Sequence, residues 1–376
     1  MLIRVPHLVE TKTSLFSLAG LWIRPGRTDI FAIMRIAFSL LAVTAASLSC
    51  ALSPPPITRA HWQPVATGSG ATLRGVHAVE GNTVWATGSD GTVLRTTDGG
   101  RSWSSFSVGA GLDIRDVHAF DARTAYVLVV TEPASILRTT DGAKTWEELY
   151  RSPHEKAFFD SFTFLDRQRA IIFGDPIDGT FLVLTTEDGG KTWISADTIP
   201  SAGAGEAAFA ASGTCVVSLG DRAWIGTGGM ASRVLLSTDG GRSWAAKATS
   251  MISGEPTTGI YSVAFRDADH GVLVGGDYTK PDVADRNAAF TLDGGTTWMS
   301  VLDGSQPRGQ RAAVAWVPGR RDTLLTVGRS GTDYSVDGGR TWAPLSDAGY
   351  YALSFAPTGE GWAVGAGGRA ARLVYE

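Results

Sequence analysis

The chain has little cysteine, no cluster of basic residues and, in its repeats, no stretch with the spacing of an amphipathic helix. Only Cys50 and Cys215 occur among 376 residues, so beyond residue 50 no internal disulfide can form. Lys and Arg total 33 against 37 Asp and Glu, which gives a net charge of −4. This balance, with no Lys/Arg run, excludes a polybasic nucleic-acid binder.

The usual signatures of metal and cofactor sites are also missing. There is no HExxH motif and no Cys pair, so we expect no zinc site. Gly365-Ala366-Gly367-Gly368 precedes a strand rather than a helix, which argues against a dinucleotide-binding loop. His77 and His118 occupy equivalent positions in two repeats, which favours packing or channel lining over metal ligation. We therefore expect no cofactor and no metal.

One long apolar run, residues 36–52, lies near the N-terminus. It follows Met34 and Arg35, ends in small residues and precedes Ser53 and three prolines. Its length is typical of a secretory signal rather than of a membrane span. We assign residues 1–52 to an N-terminal extension and signal peptide, with Met34 as an alternative start, and residues 53–60 to a Pro-rich linker.

The end of this run leaves two alternatives for processing. In Ser47-Leu48-Ser49-Cys50 the cysteine would be lipidated after cleavage and would attach the protein to a membrane, although Leu is absent three residues before it. Cleavage after Ser49 or Ala51 is the other alternative. Both predict an exported protein, periplasmic or extracellular.

Six copies of one eight-residue sequence organise the rest of the chain. The first runs from Thr96 to Trp103, and the pattern, called here the repeated turn, is Ser/Thr-x-Asp-Gly-Gly/Ala-x-Ser/Thr-Trp. Its Asp residues are 43 to 54 residues apart, which is the period of a repeat architecture. We expect its Asp and Trp residues to be structural: Asp98, Asp141, Asp188, Asp239, Asp293, Asp337, Trp103, Trp146, Trp193, Trp244, Trp298 and Trp342.

The repeated turn has the composition of a tight turn between two strands. Its Asp carboxylate can accept hydrogen bonds from backbone N–H groups one and two residues on, and its Gly supplies a positive φ. The Trp then begins the next strand and can bury its ring between neighbouring sheets. The pattern is that of the Asp-box, also called the BNR repeat.

Each repeat predicts four short strands. In the first repeat, apolar alternation over residues 73–79 is followed by apolar runs at 84–87 and 93–96 and by a strand after Trp103. Four antiparallel strands per repeat make one propeller blade. Five further units begin at Asp113, Phe158, Gly205, Gly259 and Arg311.

The two ends of the sequence complete a seventh blade. Residues 351–355, 361–365 and 371–374 supply three strands without a repeated turn, and residues 61–65 resemble an outer strand with no such turn before it. We therefore predict an all-β, seven-bladed β-propeller over residues 61–376. Its last blade takes the outer strand from the N-terminal side, which protects the sheet edges.

Over about residues 60–376 the sequence resembles the photosystem II stability/assembly factor family and its bacterial relatives with BNR-like repeats. The resemblance rests on pieces such as Gly361-Trp362-Ala363-Val364-Gly365 and residues 93–100. In photosynthetic organisms it implies a lumenal assembly factor that binds a precursor reaction-centre protein. Relatives in other bacteria carry labels such as oxidoreductase or glycosyl hydrolase, and propellers host many activities.

The predicted meander places function on one face. The repeated turns share a face with the turns between first and second strands, while blade links and the turns between second and third strands surround the opposite mouth. Aligning the inner strands puts Arg74, Arg115 and Arg311 at one register at that mouth, with Tyr261 and Tyr351 near it. Several guanidinium groups suit a carboxylate or other anion, so we predict that these five residues bind a ligand.

A structural role for the three arginines is the first alternative. They would pair with carboxylates near the same register and hold neighbouring blades together in a wet channel. The carboxylates in question are Asp116, Asp160 and Glu206. A slip of one residue in the fourth unit would turn Glu206 away.

A carbohydrate-active hydrolase is the second alternative. A glycosidase needs two carboxyl groups about 5 to 10 Å apart across a sugar, and the candidates are Asp160, Asp175, Glu206 and Asp277. The chain lacks the Arg-Ile-Pro motif of sialidases and has room for one propeller, whereas xyloglucanases pair two. Asp175 and Asp277 could equally be Asx-type loop residues.

The main interpretation is an exported binding or assembly platform with its ligand at the channel mouth. Residues 51–376 carry 28 Lys and Arg and 35 Asp and Glu, a charge of −7. We expect a protein partner or a small anionic or glycan ligand, no nucleic acid, a monomer, and membrane association only through a lipidated Cys50. Cys215 lies in an apolar stretch and is expected to be a buried core thiol.

Overall fold

The computed structural model describes residues 55–80 and 82–376. The predicted signal peptide, Met34, Cys50 and the first two linker residues lie outside the described residues. Seven β-sheets, one per blade, form the described part, which confirms the predicted seven-bladed propeller. The only helical pieces in these ranges are two short 3-10 turns, Ile57–Arg59 and Ala366–Gly368. No helix among the described residues has the length and apolar character needed to cross a membrane.

The strands are numbered in chain order. Strand β1 (Ala60–Val65) precedes blade 1, which comprises β2 (Leu73–Glu80), β3 (Thr83–Gly88), β4 (Thr92–Thr96) and β5 (Ser104–Ser107). Blade 2 comprises β6 (Ile114–Ala119), β7 (Ala125–Val129), β8 (Ser135–Thr139) and β9 (Glu147–Arg151). Blade 3 comprises β10 (Phe159–Phe164), β11 (Ala170–Ile177), β12 (Thr180–Thr186) and β13 (Ile194–Ser195).

The fourth blade departs from the regular plan. Its sheet comprises β15 (Val216–Leu219), β16 (Arg222–Gly226), β18 (Arg233–Ser237) and β19 (Ala245–Ala248). Two short strands, β14 (Glu206–Ala207) and β17 (Gly228–Gly229), belong instead to the sheet of blade 5. The other strands of blade 5 are β20 (Thr258–Phe265), β21 (Gly271–Asp277), β22 (Ala288–Thr291) and β23 (Met299–Ser300).

The last two blades return to four strands each. Blade 6 comprises β24 (Ala313–Trp316), β25 (Leu324–Gly328), β26 (Gly331–Ser335) and β27 (Ala343–Ser346). Blade 7 comprises β28 (Ala352–Phe355), β29 (Gly361–Val364), β30 (Ala370–Tyr375) and, as its outer strand, β1.

The ring closes between its first and last strands, as predicted. Strand β1 pairs antiparallel with β30, from Ala60 opposite Tyr375 to Val65 opposite Ala370. The indole Nε1 of Trp62 in β1 also donates to Thr332 Oγ1 of blade 6 at 2.9 Å. The closing strand is therefore fixed both within its own sheet and to the neighbouring blade.

The repeated turn folds alike in its six copies, with one difference from the prediction. In the first copy the Thr96 hydroxyl donates to Asp98 Oδ1 at 2.8 Å. The same oxygen accepts the backbone N–H of Ser102 at 3.0 Å, and Oδ2 accepts the Ser102 hydroxyl at 2.6 Å. The backbone donors lie four residues on, and in three copies also three residues on, rather than one and two. In the first copy, Gly99 and Gly100 with positive φ turn the chain back over the carboxylate.

The second glycine of the turn also decides how blades pack. A Cβ on Gly100 would lie 2.5 Å from the Trp362 ring of blade 7, and one on Gly295 would lie 2.9 Å from Trp224 of blade 4. Both indoles are fully buried on second strands. Each repeated turn therefore closes the apolar space between its own blade and the preceding one.

The predicted division between the two faces is confirmed. The first glycine of each repeated turn donates its N–H to the turn between the first and second strands of the same blade. Examples are Gly99 to Asn82 O at 3.0 Å and Gly240 to Asp221 O at 2.8 Å. The blade links and the turns between second and third strands consequently surround the other mouth.

Candidate functional site

Four inner strands carry a β-bulge at the mouth opposite the repeated turns. At this mouth, the pairing register between the first and second strands shifts at one residue in each of blades 1, 2, 3 and 5. A bulge leaves one residue unpaired and redirects its side chain. The bulged residues are Arg74, Arg115, Asp160 and Tyr261, so the predicted common register is a real structural position in these blades.

Blade 6 shows that the predicted register of Arg311 is wrong by one residue. In blade 1 the bulged Arg74 directly precedes Gly75, which pairs with the second-strand residue before a glycine. In blade 6 the corresponding place belongs to Ala313, so Ala312 is the equivalent of Arg74. One residue changes which side of a strand a side chain faces, and Arg311 therefore points into the blade.

The Arg311 side chain is fully buried and ion-paired. Its Nε donates to Asp333 Oδ2 at 2.8 Å, and a second guanidinium nitrogen contacts the same oxygen. Burial lowers the pKa of Arg311, and the adjacent Asp333 carboxylate opposes that effect. Arg311 thus stabilises blade 6 next to the mouth and does not line the cavity.

A cavity of about 380 Å³ occupies the channel mouth. Its cationic residues are Arg74, Arg115 and Arg329, and no Asp or Glu lines it. Tyr261 and Tyr351 also line the cavity, so the structure brings together four of the five residues predicted to bind a ligand.

The arginines of the cavity are close enough to influence one another. Burial and then the nearby Arg115 lower the pKa of Arg74, whose guanidinium lies 4.9 Å from the centre of the Tyr351 ring. Arg115 pairs with Asp113 at 2.8 Å. Arg74 and Arg329 have no carboxylate within ion-pair distance in the described part of the chain. An anionic ligand would relieve this repulsion.

The channel is closed below the cavity by residues 203–214, called here the strap. Small residues and positive φ at Gly205 and Gly213 let its backbone run close to other blades. The strap makes contacts with four other blades. Ala208 donates its N–H to Asp175 Oδ1 of blade 3 at 2.9 Å, and the Phe209 ring stacks on Tyr261 of blade 5. Ser212 Oγ donates to Ala312 O of blade 6 at 2.8 Å, and Gly213 packs against Asp116 of blade 2. A segment that enters blade 4 and touches blades 2, 3, 5 and 6 must cross the channel axis.

The strap overturns the predicted start of the fourth unit. The inner strand of blade 4 is β15, which begins ten residues after Glu206 rather than at it. Glu206 instead lies in β14 of the strap and is buried. It accepts the Thr227 hydroxyl at 2.6 Å and Arg233 Nε at 2.8 Å. The continuous apolar run at residues 207–211 resembles a buried strand, but these residues face several blades in turn.

The other carboxylates proposed for catalysis also lie off the cavity lining. Asp160 is fully buried with no hydrogen-bond partner on either oxygen, and burial followed by the charge of Asp175 raises its pKa well above the ordinary value. Burial raises the pKa of Asp175. Asp277 accepts the backbone N–H and hydroxyl of Thr279 at 2.9 and 2.7 Å. Despite burial, these bonds lower the pKa of Asp277 to about 2. Asp277 is thus an Asx-type loop residue.

The predicted pairing of the three arginines with Asp116, Asp160 and Glu206 is wrong. Asp116 accepts the Ser161 hydroxyl at 2.9 Å and the Phe162 N–H at 3.0 Å. The register of blade 6 differs by one residue from the prediction, and the inner strand of blade 4 begins after the strap. The arginines and the carboxylates predicted to pair with them are therefore not opposite one another.

Two histidines line the inner strands of blades 1 and 2, below the strap. The rings of His77 and His118 are 4.5 Å apart in an edge-to-face arrangement, and His118 stacks on Phe164 at 4.6 Å. Burial lowers the pKa of His77 to about 4. The described residues contain no group of three His, Cys, Asp or Glu side chains placed to hold a metal ion. Cys215 is buried.

Several cavity residues were not predicted from the sequence: Phe158, Phe209, Tyr278, Gln310 and Arg329. Arg329 follows the second strand of blade 6, so the predicted topology alone would place it at this mouth. Phe209 carries no comparable signal, because its position depends on the strap.

Comparison with known proteins places the fold in context. A structure of YCF48 bound to D1 peptide has a TM-score of 0.60 at 18% identity over 84% of this chain and 97% of that one. For YCF48 from Cyanidioschyzon merolae the values are 0.58, 21%, 83% and 98%. The GH74 xyloglucanase from Xanthomonas campestris gives 0.60 and 20% over 83% of this chain but 53% of that one. These identities show a shared fold alone.

The sequence comparisons, unlike the structural ones, identify a family. No curated protein sequence gives a significant match. The family model of the DUF6242 beta propeller domain matches residues 44–255, which is more than half of the 376 residues. The chain therefore belongs to the family of the DUF6242 beta propeller domain.

Proposed function

We propose that the protein is an exported binding platform that captures an anionic group of a partner protein in the cavity. The observation that carries this proposal is the lining itself, which has three arginines and no carboxylate. The guanidinium fork matches carboxylate geometry and keeps its charge when half-buried. Export, by a signal peptide in residues 1–52 or with a lipidated Cys50, is part of the proposal.

The charge of the cavity contrasts with that of the whole chain. Residues 51–376 have 28 Lys and Arg against 35 Asp and Glu. A cationic cavity in an acidic protein requires several basic side chains to lie close together. The bulges of blades 1 and 2 bring Arg74 and Arg115 to the cavity, and the turn after the second strand of blade 6 brings Arg329. Such a site favours an anionic group while the rest of the surface repels anionic molecules.

Similarity of fold gives this proposal modest support. The related structure of YCF48 is a complex with a D1 peptide, so a propeller of this shape can bind a peptide. In this chain, the rigid blade strands would hold the cavity open before the partner arrives, which reduces the entropic cost of binding.

Affinity capture from the protein's own cells tests the proposal. We would compare the tagged wild-type protein with the double variant Arg74→Ala/Arg329→Ala, which removes two arginines without leaving a paired carboxylate behind. Arg101→Ala, at an exposed residue of the opposite face, is the matched control. We expect a partner that co-elutes with the wild type and the control and is lost from the double variant. The proposal is wrong if the double variant retains the same partner.

A further inference from the structure

The cavity has two chemically different sides. Its arginines come from blades 1, 2 and 6, while Phe209 of the strap and Tyr261 and Tyr278 of blade 5 form an aromatic wall. In a ring of seven blades, blade 5 lies across the axis from blades 1 and 2. Arg74 and Arg115 lie against the rings of Tyr351 and Phe158, and Arg329 of blade 6 lies next to blade 5. A group that occupies the cavity therefore meets Arg74 and Arg115 on one side and the aromatic wall on the other.

The aromatic wall offers apolar surface rather than hydroxyl groups. The rings of Phe209 and Tyr261 are parallel within 4°, with centroids 4.2 Å apart, and Tyr278 stands edge-on to Phe209 at 6.3 Å. The Tyr261 hydroxyl is already used, because it donates to Thr257 O at 2.8 Å. Tyr278 is 44% exposed at the rim. Tyr261 is buried beneath Phe209, so the uncovered surface belongs to Phe209 and Tyr278. Such aromatic surface gains free energy when an apolar group replaces water.

The strap holds Phe209 in place before any ligand binds. The residue before it donates its N–H to Asp175, and three residues later Ser212 donates to the carbonyl of Ala312. The Phe209 ring packs against the backbone of Gly228 and Gly259. The alanines of the strap leave space in front of the ring. The wall is thus preorganised.

We propose that the cavity binds a neighbouring pair of acidic and aromatic side chains in an extended segment of the partner, rather than an isolated anion. Successive side chains of an extended chain point to opposite sides, as the two walls of the cavity do. The acidic side chain reaches Arg74 and Arg115, and the aromatic one reaches Phe209. This inference rests on the proposed function and names the chemistry that the same site reads.

Short blocked peptides test it as a two-by-two comparison. The probes are the tetrapeptides Gly-Asp-Phe-Gly, Gly-Asp-Ala-Gly, Gly-Asn-Phe-Gly and Gly-Asn-Ala-Gly, each without terminal charges, titrated into the full-length protein by NMR. We expect wild type to bind the Asp-Phe peptide about tenfold more tightly than the Asp-Ala peptide. Phe209→Ala should abolish this difference. Arg74→Ala should weaken only the two Asp peptides, and Arg101→Ala should change nothing.

Two further variants test whether a lost preference for Phe results from a folding defect. Phe209→Leu keeps apolar volume without the ring, and Tyr278→Ala removes an exposed ring. Both should reduce the preference for Phe over Ala, and both should unfold at the wild-type temperature. A preference that is unchanged in every one of these variants overturns the inference.

The remaining outcomes separate the two proposals. Equal affinity of wild type for the Asp-Phe and Asp-Ala peptides overturns the inference but leaves anion capture standing. Equal affinity for the Asp-Phe and Asn-Phe peptides contradicts anion capture itself. Tighter binding of free 3-phenylpropionate than of the Asp-Phe peptide would assign the cavity to a small aryl carboxylate and overturn the peptide reading. Failure of all four peptides to bind wild type also overturns it, while affinity capture still decides the proposed function.

Discussion

Titratable side chains of this propeller fall into two contrasting environments. Hydroxyl and backbone donors of the repeated turns lower the pKa of Asp98, Asp141 and Asp188 to about 2, so these carboxylates stay charged. In the channel, burial lowers the pKa of His77 to about 4 and raises that of Asp116 to about 7. The turns thus favour ionised groups, whereas the channel favours neutral ones.

The neutral state of His77 predicts a pH dependence of stability. Its pKa is near 6.5 when unfolded and about 4 when folded, so its contribution is fully present above pH 6.5 and is lost as the pH falls towards 4. His77→Gln removes this titration. Relative to wild type, we expect the variant to gain about 2 kcal/mol of unfolding free energy between pH 6.5 and 4.5.

Urea unfolding at a series of pH values measures this difference. Comparison with wild type cancels the opposite contribution of Asp116, whose stabilising effect is lost as the pH rises through about 7. His154→Gln, at an exposed residue on the link before blade 3, controls for the substitution itself. A constant difference between His77→Gln and wild type across this range would contradict the prediction.

Among the elements of the fold, the strap turns an open channel into a closed cavity. The strap belongs to the link between blades 3 and 4, which is longer than the other six links between blades. Its residues were predicted to form the inner strand of blade 4. The strap combines Glu206 paired with Arg233, a hydrogen bond to Asp175 and a close approach of Gly213 to Asp116. Two residues considered for catalysis, Asp175 and Glu206, therefore position the floor of the cavity.

Gly213 offers a direct test of the strap. A Cβ at this residue would lie 2.1 Å from Asp116 Oδ1, and its φ is +74°. We expect Gly213→Ala to cost about 3 kcal/mol of unfolding free energy and to weaken peptide binding, because the strap must move. Gly220→Ala is the matched control, since its φ is +59° and nothing lies within 4 Å.

Chemical unfolding and peptide titration measure the two effects together. The control should lose about 1 kcal/mol from backbone strain and keep its affinity. Equal losses in both variants would mean that strain alone matters and that the strap tolerates the added methyl group.

The turns and strands also show how much of the fold could be predicted from the sequence. The repeated turns can be recognised because their geometry needs Asp, Gly and Ser/Thr at fixed spacing, and they mark six of the seven blades. Arg74 and Arg115 could be aligned because each precedes the same alternating strand pattern. Arg311 could not be placed because a register difference of one residue leaves the sequence pattern unchanged. Glu206 could not be placed because the short apolar run of the strap resembles a buried strand.

In the ring of seven blades, the outer strand of blade 7 is joined to its sheet by hydrogen-bonded pairing and not by a connecting turn. The other six blades link their third and fourth strands through a repeated turn. In blade 7 the corresponding strands are β30 and β1, and the Glu376 N–H donates to Arg59 O at 3.1 Å. The chain is open where a seventh repeated turn would stand.

Removing β1 should therefore open the ring. A chain that begins at residue 66 loses the buried Trp62 and leaves the edge of β30 unpaired, so we expect a loss of more than about 3 kcal/mol and self-association. A circular permutant that begins at residue 66 and joins Glu376 to Ala60 through a copy of the repeated turn should keep stability within about 1 kcal/mol of wild type.

Chemical unfolding and size-exclusion chromatography distinguish these two chains. The permutant contains the same strand, so it controls for the new start of the chain. A truncated protein as stable and as monomeric as the permutant would show that β1 is dispensable.

The closing strand also orients the molecule. Strand β1 starts beside the end of β30, on the face of the repeated turns, and there the carbonyl of Pro55 accepts a hydrogen bond from Arg320. Residues 55–59, which directly precede β1, thus lie on the side opposite the cavity. A tether attached at residue 55 would therefore leave the cavity mouth unobstructed.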